Sequence, residues 1–243
     1  MIISKTPVLR MIKAIFFDWF NTLARFEPPR EELHSQTFHE FGIEAPLGKV
    51  MRGLLIADKD WFEENIKSKV EERSPEEQAE LALRYEQTIL DEAGVKAPKE
   101  TLLKIANRVR ELYEGIGFVL FDDVLSTLKT LKQQNFILGL LTNVAKDMNS
   151  ICRGLGLEPY LDFIVTSQEV GADKPRPPIF LAALERAKVN ASEAVHVGDQ
   201  YKLDVAGARG VGISPILIDR YDLYPEVNDC PRIRNLTEVA QYL

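Results

Sequence analysis

Four apolar runs of the sequence lead to polar residues whose types suit phosphate chemistry. The residues are Asp18 at the end of KAIFFD, Thr142 and Asn143 after FILGLL, Lys174 in the GADKP that follows FIVT, and Asp199 after AVHVG. The set contains a carboxylate, a hydroxyl, a lysine and a second carboxylate. Together these groups could form a cage for a phosphoryl group and a divalent cation.

The chemistry of each group follows from its type. The Asp18 carboxylate can attack phosphorus or an activated carbon and form a covalent intermediate. The Thr142 hydroxyl and the backbone amides around Asn143 can hold phosphate oxygens. Lys174 supplies positive charge to oxygens that become more negative in the transition state. We therefore expect Asp18, Thr142 and Lys174 to be catalytic, and Thr142, Asn143 and Lys174 to bind the substrate.

A magnesium site is expected beside the nucleophile. Asp18 and Asp199 offer hard oxygen ligands, and Mg²⁺ prefers one or two carboxylates together with water and substrate oxygens. The cation would also shield an incoming phosphate from the two carboxylates. Asp204, five residues after Asp199 in GDQYKLD, would orient these ligands or Lys174 from the next layer of side chains.

The apolar runs are typical of strands that are buried on both faces of a parallel sheet. We predict strands at residues 13–18, 136–141, 163–166, 194–197 and 214–218, with helical spacing of apolar residues between them. Strands that alternate with helices favour an α/β fold, a parallel sheet covered by helices on both sides. The carboxyl ends of its strands meet at one edge, which would carry the polar groups.

A different pattern runs from Pro28 to about residue 117. Long, charged, helix-favouring stretches predict helices at residues 31–41, 47–72, 75–93 and 99–113 and no convincing strand. Ser74-Pro75-Glu76-Glu77 is a favourable helix start, with an N-cap residue, a proline at the first position and acidic residues in the first turn. We therefore predict a sheet domain formed by residues 1–27 and 117–243, and an inserted all-helical domain at residues 28–116.

Composition argues against several classes of function. The chain has 30 Lys plus Arg and 37 Asp plus Glu, and its net charge of −7 argues against a nucleic-acid binder. Two cysteines cannot form a disulfide framework, and no stretch approaches the roughly 18 consecutive apolar residues of a membrane span. Lys5, Arg10 and Lys13 interrupt the apolar amino terminus. We expect a cytoplasmic monomer or homodimer that binds a small molecule and neither nucleic acid nor membrane.

The negative charge is concentrated in the helical insert. Residues 27–116 contain 13 basic and 20 acidic side chains, which accounts for the whole net charge, so the remainder of the chain is formally neutral. A neutral core that holds an anion beside two carboxylates depends on a bound cation and on Lys174. The charge distribution therefore adds to the expectation of Mg²⁺.

The order FFDWFNTL, LLTN, GADKP and VGDQYKLD resembles the four sequence motifs of the haloacid dehalogenase (HAD) superfamily, in the subfamily with a helical cap inserted after the first strand. The resemblance covers nearly the whole chain from Met11 onward. It implies a Rossmann-like, doubly wound core, a cap that closes over the site, and Mg²⁺-dependent hydrolysis of a small phosphorylated metabolite through an aspartyl-phosphate on Asp18. It also implies that the backbone carbonyl of Phe20 joins Asp18 and Asp199 as a metal ligand.

One position departs from the family pattern. Family phosphatases usually carry a second Asp two residues after the nucleophile, as general acid and base, but this chain has Phe20 there and Asn21 in place of the next Gly. A phenyl ring cannot transfer a proton, and general acid–base catalysis is typically worth about 10² to 10⁴ in rate. The carbon–halogen branch of the family has an aromatic residue at this position, because halide leaves without a proton, but it typically lacks the Asp199 and Asp204 pair.

Two alternatives to a phosphatase therefore stay open. One is a 2-haloacid dehalogenase that uses Asp18 as its nucleophile. The other is a weakly active or non-catalytic HAD-like protein, because Phe20 replaces the usual acid–base residue. The first alternative predicts release of halide without a metal ion, and the second predicts binding without turnover.

Other polar and aromatic residues have a structural interpretation. His196 lies mid-strand among apolar residues and is predicted to be a core histidine. His34 and His39, on the first helix of the insert, are predicted to be solvated. Trp61 and Phe62 are predicted to pack inside the cap rather than to face the substrate.

Overall fold

The structure, a computed structural model, describes residues 11–144 and 146–243. The chain forms two compact units: the sheet unit comprises the described residues up to Ala24 together with Leu120–Leu243, and the helical unit is Arg25–Val119. The expectation drawn from Lys5 and Arg10 concerns residues outside the described part of the chain.

A parallel sheet organises the sheet unit. The strands of the described residues are β1 (Ala14–Phe17), β2 (Ala24–Glu27), β3 (Gly117–Leu120), β4 (Ile137–Thr142), β5 (Phe163–Thr166), β6 (Ala194–Gly198), β7 (Ser214–Ile218) and β8 (Arg232–Ile233). Six of them stand in the order β5-β4-β1-β6-β7-β8, and every neighbouring pair is parallel. With helices flanking this sheet, the predicted α/β class is confirmed.

The helices of the described residues divide between the two units. They are α1 (Arg30–Glu40), α2 (Leu47–Lys67), α3 (Pro75–Glu92), α4 (Lys99–Tyr113), α5 (Val124–Gln133), α6 (Met148–Gly154), α7 (Ser167–Val170), α8 (Pro177–Ala187) and α9 (Ala206–Gly210). Short 3₁₀ segments occur at Val70–Glu72, Ala191–Glu193 and Leu236–Tyr242, and a π-helical turn occurs at Tyr201–Val205. None of the helices described is long and apolar enough to span a membrane.

The centre of the sheet brings three strand ends together. β1 pairs along its whole length with β4 on one side, from Ala14 opposite Ile137, and with β6 on the other, from Ala14 opposite Ala194. Because all three strands run in the same direction, their carboxyl ends lie side by side. The residues that follow β1, β4 and β6 therefore share one edge of the sheet.

Close aromatic packing fixes β4 beside β1. Phe16 of β1 is fully buried, and its ring centroid lies 5.9 Å from that of Phe163 on β5. Both rings reach each other because β4 carries Gly139 between them, where a Cβ would lie 2.4 Å from the Phe163 ring. A fully buried side chain of this size contributes about 1.5–3 kcal/mol, so this contact helps to anchor the strand that ends at Thr142.

The helical unit is built from α1 to α4, which lie within a few residues of the four predicted helices. At the start of α3, Ser74 Oγ accepts from the Glu77 amide at 3.2 Å and the Glu77 carboxylate accepts from the Ser74 amide at 3.0 Å, as a capping box requires. Helices α2 and α3 approach closely at Gly53, where a Cβ would lie 2.7 Å from the Cα of Ile89.

Trp61 is half-buried and packs edge-on against Tyr85.

The expectation that His34 is solvated is wrong. His34 is fully buried, its Nδ1 lies 3.0 Å from the Arg30 carbonyl oxygen and its Nε2 lies 3.6 Å from the Glu86 carboxylate. The reason is its place on α1: His34 lies four residues before Phe38, so both side chains occupy the same buried face of the helix. His39, on the opposite face, is exposed as expected.

Candidate active site

The turn after β1 presents Asp18 at the edge of the sheet. The Asp18 amide donates to the Val197 carbonyl at 2.9 Å and so extends the pairing of β1 with β6. The amides of Leu23 and Ala24 then both donate to the Trp19 carbonyl, at 2.9 and 3.0 Å, which closes a tight turn. Asn21 has a φ of +58° in this turn. Asn adopts positive φ more readily than most residues other than Gly, so Asn21 suits a position where the family usually has Gly.

Two donors hold the Asp18 carboxylate, one on each oxygen. Lys174 Nζ donates to Oδ1 at 2.5 Å, and Thr22 Oγ1 donates to Oδ2 at 3.1 Å. Asp18 is only 8% exposed and Lys174 only 3%. Burial raises the pKa of Asp18 above its ordinary value, although the Lys174 ammonium acts in the opposite direction. The hydrogen bonds from Lys174 and Thr22 therefore fix the rotation of the carboxylate.

Asn143 positions the backbone of Lys174. Its side-chain Oδ1 accepts from the Lys174 amide at 2.8 Å, and its Nδ2 donates to the Lys174 carbonyl at 3.3 Å. The side chain thus satisfies both polar groups of the Lys174 backbone, much as a neighbouring strand would. This contact of the Asn143 side chain was not expected from the sequence, which singled out the backbone amides around Asn143.

Thr142 and Phe20 lie on the two turns next to Asp18. Thr142 is buried at the end of β4, and its Oγ1 accepts from the Val144 amide at 3.1 Å. Phe20 is half-buried, and its backbone forms a β-bridge with Ala24. Both residues are therefore placed at the edge where the sequence predicts them, and their roles toward phosphate and metal stay predictions.

Asp204 is the most extensively bonded carboxylate of the site. Its Oδ1 accepts from Lys174 Nζ at 2.7 Å and lies 2.9 Å from His196 Nε2, and its Oδ2 accepts from the Gln200 amide at 3.0 Å. Burial alone would raise the pKa of Asp204, but Lys174 and His196 outweigh burial and lower it. Gly198 makes room for this carboxylate, because a Cβ there would lie 2.2 Å from the Asp204 Cγ.

The three carboxylates of the site suit a divalent cation. Oxygens of Asp18, Asp199 and Asp204 all lie within 4.8 Å of one another. Burial, together with the charges of Asp18 and Asp204, raises the pKa of Asp199 well above its ordinary value. Burial lowers the pKa of Lys174, but the two carboxylates it contacts outweigh that effect and raise it.

The charges of this cluster are unbalanced, since three carboxylates surround one ammonium group. Asp204 has three close partners, two on Oδ1 and one on Oδ2, whereas each Asp18 oxygen accepts a single hydrogen bond. Asp199 is half-buried and accepts one from Gln200 Nε2 at 2.9 Å. The donor set of Asp18 and Asp199 therefore fits Mg²⁺, and Asp204 suits an orienting function instead.

The sequence did not predict that three residues contact the site: Thr22, Gln200 and His196. His196 is a buried core residue, as predicted, and its ring packs edge-on against Phe180 at a centroid distance of 5.2 Å. Its contact with Asp204 is an addition to that prediction. A polar side chain that alternates with Val195 and Val197 on a central strand is the signal that could have indicated it.

A buried lysine held between two carboxylates at the carboxyl edge of a parallel sheet is typical of an active site in an α/β protein, because such clusters of charged groups with shifted pKa values concentrate at functional sites. The family model for haloacid dehalogenase-like hydrolases matches residues 12–212, so the chain belongs to that family. The predicted family and the hydrolase class are thereby confirmed.

The similar proteins include a hydrolase named only by its domain, a phosphatase and a dehalogenase. Haloacid dehalogenase-like hydrolase domain-containing protein 3 of Danio rerio is 39% identical over 132 residues, 54% of each chain. Ribulose-1,5-bisphosphate 5-phosphatase of Halopiger xanaduensis is 38% identical over 101 residues, 41% of this chain and 42% of that protein. The structure of 2-haloacid dehalogenase from Pseudomonas syringae is 28% identical, covers 95% of this chain and 97% of its own, and has a TM-score of 0.54. This chain spans about half the length of the curated relatives it matches.

Proposed function

We propose that this protein is a Mg²⁺-dependent phosphatase that hydrolyses a small phosphorylated metabolite through an aspartyl-phosphate on Asp18. The observation that carries the proposal is the buried Asp18 carboxylate, held by Lys174 and Thr22 with the Asp199 carboxylate close by. Similarity to a ribulose-1,5-bisphosphate 5-phosphatase supports a small phosphate ester as the substrate. Residues 28–116 would act as the cap that excludes water and selects the substrate.

The first chemical step follows from the groups around Asp18. One Asp18 oxygen bonds to phosphorus, the ester P–O bond breaks, and the leaving oxygen takes the bonding electrons. The Thr142 hydroxyl and the backbone amides around Asn143 would bind the non-bridging oxygens of the phosphate. An ammonium has three N–H donors, and Lys174 uses two of them on Asp18 and Asp204, so a third can reach a phosphate oxygen. Water then bonds to phosphorus, the bond to Asp18 breaks with its electrons returning to the carboxylate, and phosphate is released. One proton of the water stays on the phosphate and the other passes to solvent, from which the leaving oxygen takes up a proton.

The metal ligands would be Asp18, Asp199 and the backbone carbonyl of Phe20. When bound, Mg²⁺ supplies positive charge that offsets the charges of the phosphate and of the carboxylates. Asp204 would hold Lys174 in place through the 2.7 Å contact. The protein would be a cytoplasmic monomer or homodimer, and gel filtration would test the oligomeric state.

Metal removal gives the first test. We expect the protein to release phosphate from p-nitrophenyl phosphate in the presence of Mg²⁺ and to lose this activity in EDTA, because Asp18 and Asp199 would repel the substrate without a cation. The leaving p-nitrophenolate needs little protonation, so the missing acid at Phe20 does not limit formation of the aspartyl-phosphate from this substrate. The measurement is the absorbance of p-nitrophenolate with Mg²⁺, after EDTA, and after excess Mg²⁺ is restored.

Two results of that assay would count against the proposal. Activity that survives EDTA would contradict the metal role of Asp199. If neither p-nitrophenyl phosphate nor a panel of small phosphate esters releases phosphate with Mg²⁺, the phosphatase proposal itself is wrong, and a protein that binds without turnover becomes the better interpretation.

A second candidate function, 2-haloacid dehalogenase, is favoured by Phe20 and by similarity to a dehalogenase structure. Asp18 would displace halide from carbon, and halide needs no proton to leave. This function predicts that halide appears from a 2-halo acid in EDTA. Absence of halide after long incubation would exclude it.

Phe20 itself can be tested by restoring an acid. We expect Phe20→Asp to raise kcat on an alkyl phosphate by about 10², the lower end of the usual contribution of general acid–base catalysis, and to change kcat on an aryl phosphate much less. The matched control is Phe20→Asn, which has nearly the same size as Asp but cannot donate a proton at neutral pH. Equal effects of Phe20→Asp on both substrates, or an equal gain in Phe20→Asn, would show that leaving-group protonation is not what Phe20 lacks.

A further inference from the structure

A buried arginine, Arg220, lies just after β7 and bonds to two segments far away in the sequence. Its Nη1 donates to Asp123 Oδ2 at 2.8 Å, and its Nη2 donates both to Asp123 Oδ1 at 3.0 Å and to the Thr22 carbonyl at 2.8 Å. The side chains of Arg220 and Asp123 are only 9% and 8% exposed. The guanidinium also lies over the ring of Phe121, 4.0 Å from its centroid.

The two segments held by Arg220 are those that lead to and from the helical unit. Thr22 lies just before β2, by which the chain leaves the sheet unit, and Asp123 lies just after β3, by which it returns. The Phe121 amide donates to the Leu23 carbonyl at 3.1 Å, which joins the same segments directly. Arg220 therefore joins the two segments of the sheet unit that flank the insertion.

Thr22 connects this anchor to Asp18. Its carbonyl accepts from Arg220, and its hydroxyl donates to Asp18 Oδ2 at 3.1 Å. Thr22 is fully buried. Lys174 donates to the other oxygen of Asp18. The orientation of the carboxylate therefore depends on where the Thr22 hydroxyl is held.

We propose that Arg220 is a positioning residue that aligns the Asp18 carboxylate for attack by fixing Thr22. This inference rests on the proposed function for its kinetic consequence, and on the hydrogen-bond chain from Arg220 through Thr22 to Asp18 for its structural part. A guanidinium is suited to the task because its planar fork reaches a carboxylate with two parallel hydrogen bonds and still has a donor for the Thr22 carbonyl. A lysine has a single ammonium and cannot span all three acceptors.

The test is a double-mutant cycle on kcat with Arg220→Lys and Thr22→Val. We expect each single substitution to lower kcat about tenfold with KM changed less than twofold, because small misplacements of a reacting group are costly in rate. If Arg220 acts through Thr22, Arg220→Lys causes less than a twofold further loss in the Thr22→Val background. If the two losses multiply, Arg220 acts by another route and the proposal is overturned.

Controls separate alignment from a general loss of stability. Arg232→Lys is matched, because Arg232 pairs with Asp219, the neighbour of Arg220, at 2.7 Å. We expect it to leave kcat within twofold. Asp123→Asn is a second variant that weakens the anchor without changing Arg220, and it should reproduce the effect on kcat if Arg220→Lys folds poorly.

Hydrogen exchange tests the structural part without any need for enzyme activity. We expect the amides of Leu23 and Ala24, both bonded to the Trp19 carbonyl, to exchange faster in Arg220→Lys than in Arg232→Lys. Unchanged exchange at these amides would overturn the proposed anchor, even if no substrate is found. A wild-type protein without phosphatase activity but with this exchange pattern would overturn the proposed function and leave the anchor intact.

Discussion

We expect Asp18→Asn to lower the rate of phosphate release from p-nitrophenyl phosphate by about 10⁴-fold or more. An amide keeps the size of the side chain and one acceptor oxygen, but it cannot form the bond to phosphorus that a carboxylate forms. The measurement is kcat with saturating Mg²⁺. The control is Asp162→Asn, since Asp162 lies at the amino end of β5 and pairs on the surface with Lys132, so it should retain wild-type kcat.

The covalent intermediate gives an independent readout of the same prediction. Acid quenching of the wild-type protein with a ³²P-labelled substrate should leave label on the protein that hydroxylamine removes, as expected for an acyl phosphate, and Asp18→Asn should retain none. Residual turnover in Asp18→Asn within tenfold of the wild type would show that a different group attacks phosphorus. Label that persists in Asp18→Asn would lead to the same conclusion.

The predictable part of the fold is the part that apolar runs specify. β1 and β4 to β7 have largely apolar sequences, and their common direction explains why Asp18 and Thr142 reach one edge. β2 and β8 were not predicted, because their short sequences ARFE and RI show neither an apolar run nor clear alternation. β3 has the apolar sequence GFVL, but it lies where the predicted helical insert returns to the sheet domain and was not assigned to a strand. The helices of the insert were predictable from their length and from the Ser74 cap.

The unpredicted part of the site consists of contacts between distant segments. Thr22 and Arg220 are 198 residues apart. Thr22 lies in the FFDWFNTL motif, but no sequence pattern indicates that its carbonyl accepts from Arg220, and Arg220 has no neighbour in the sequence that marks it as part of the site. His196 was predicted to be a core residue because its neighbours are apolar, yet the same strand directs it toward Asp204. Periodicity indicates which residues are buried, but it does not indicate which buried polar group bonds to which.

The negative charges of the chain are distributed differently between the helical insert and the site. The acidic excess lies in the helical insert, whereas the site has three carboxylates around Lys174 in a sheet domain that is formally neutral overall. The negative charge that matters for the chemistry is therefore local and buried, where solvent screens it weakly. A single substitution at the centre of this cluster should affect both catalysis and stability.

We expect Lys174→Met to lower kcat by about 10³-fold and to lower the free energy of unfolding by about 3–5 kcal/mol. The kinetic loss reflects removal of a charge that would stabilise the transition state, and the loss of stability arises because Asp18 and Asp204 would be buried without their counterion. Urea unfolding and steady-state kinetics measure the two effects. Lys132→Met is the control, since its pair with Asp162 is partly exposed and should be worth less than about 1 kcal/mol.

A double variant separates the two functions of Lys174. Lys174→Met with Asp204→Asn removes one buried carboxylate along with the ammonium, so it should regain part of the lost stability, because replacing both partners of a buried pair costs less than removing one. It should regain no kcat, since the positive charge beside Asp18 is still absent. Recovery of kcat together with stability would mean that Lys174 serves only to neutralise Asp204, and that another group provides the positive charge for the phosphate.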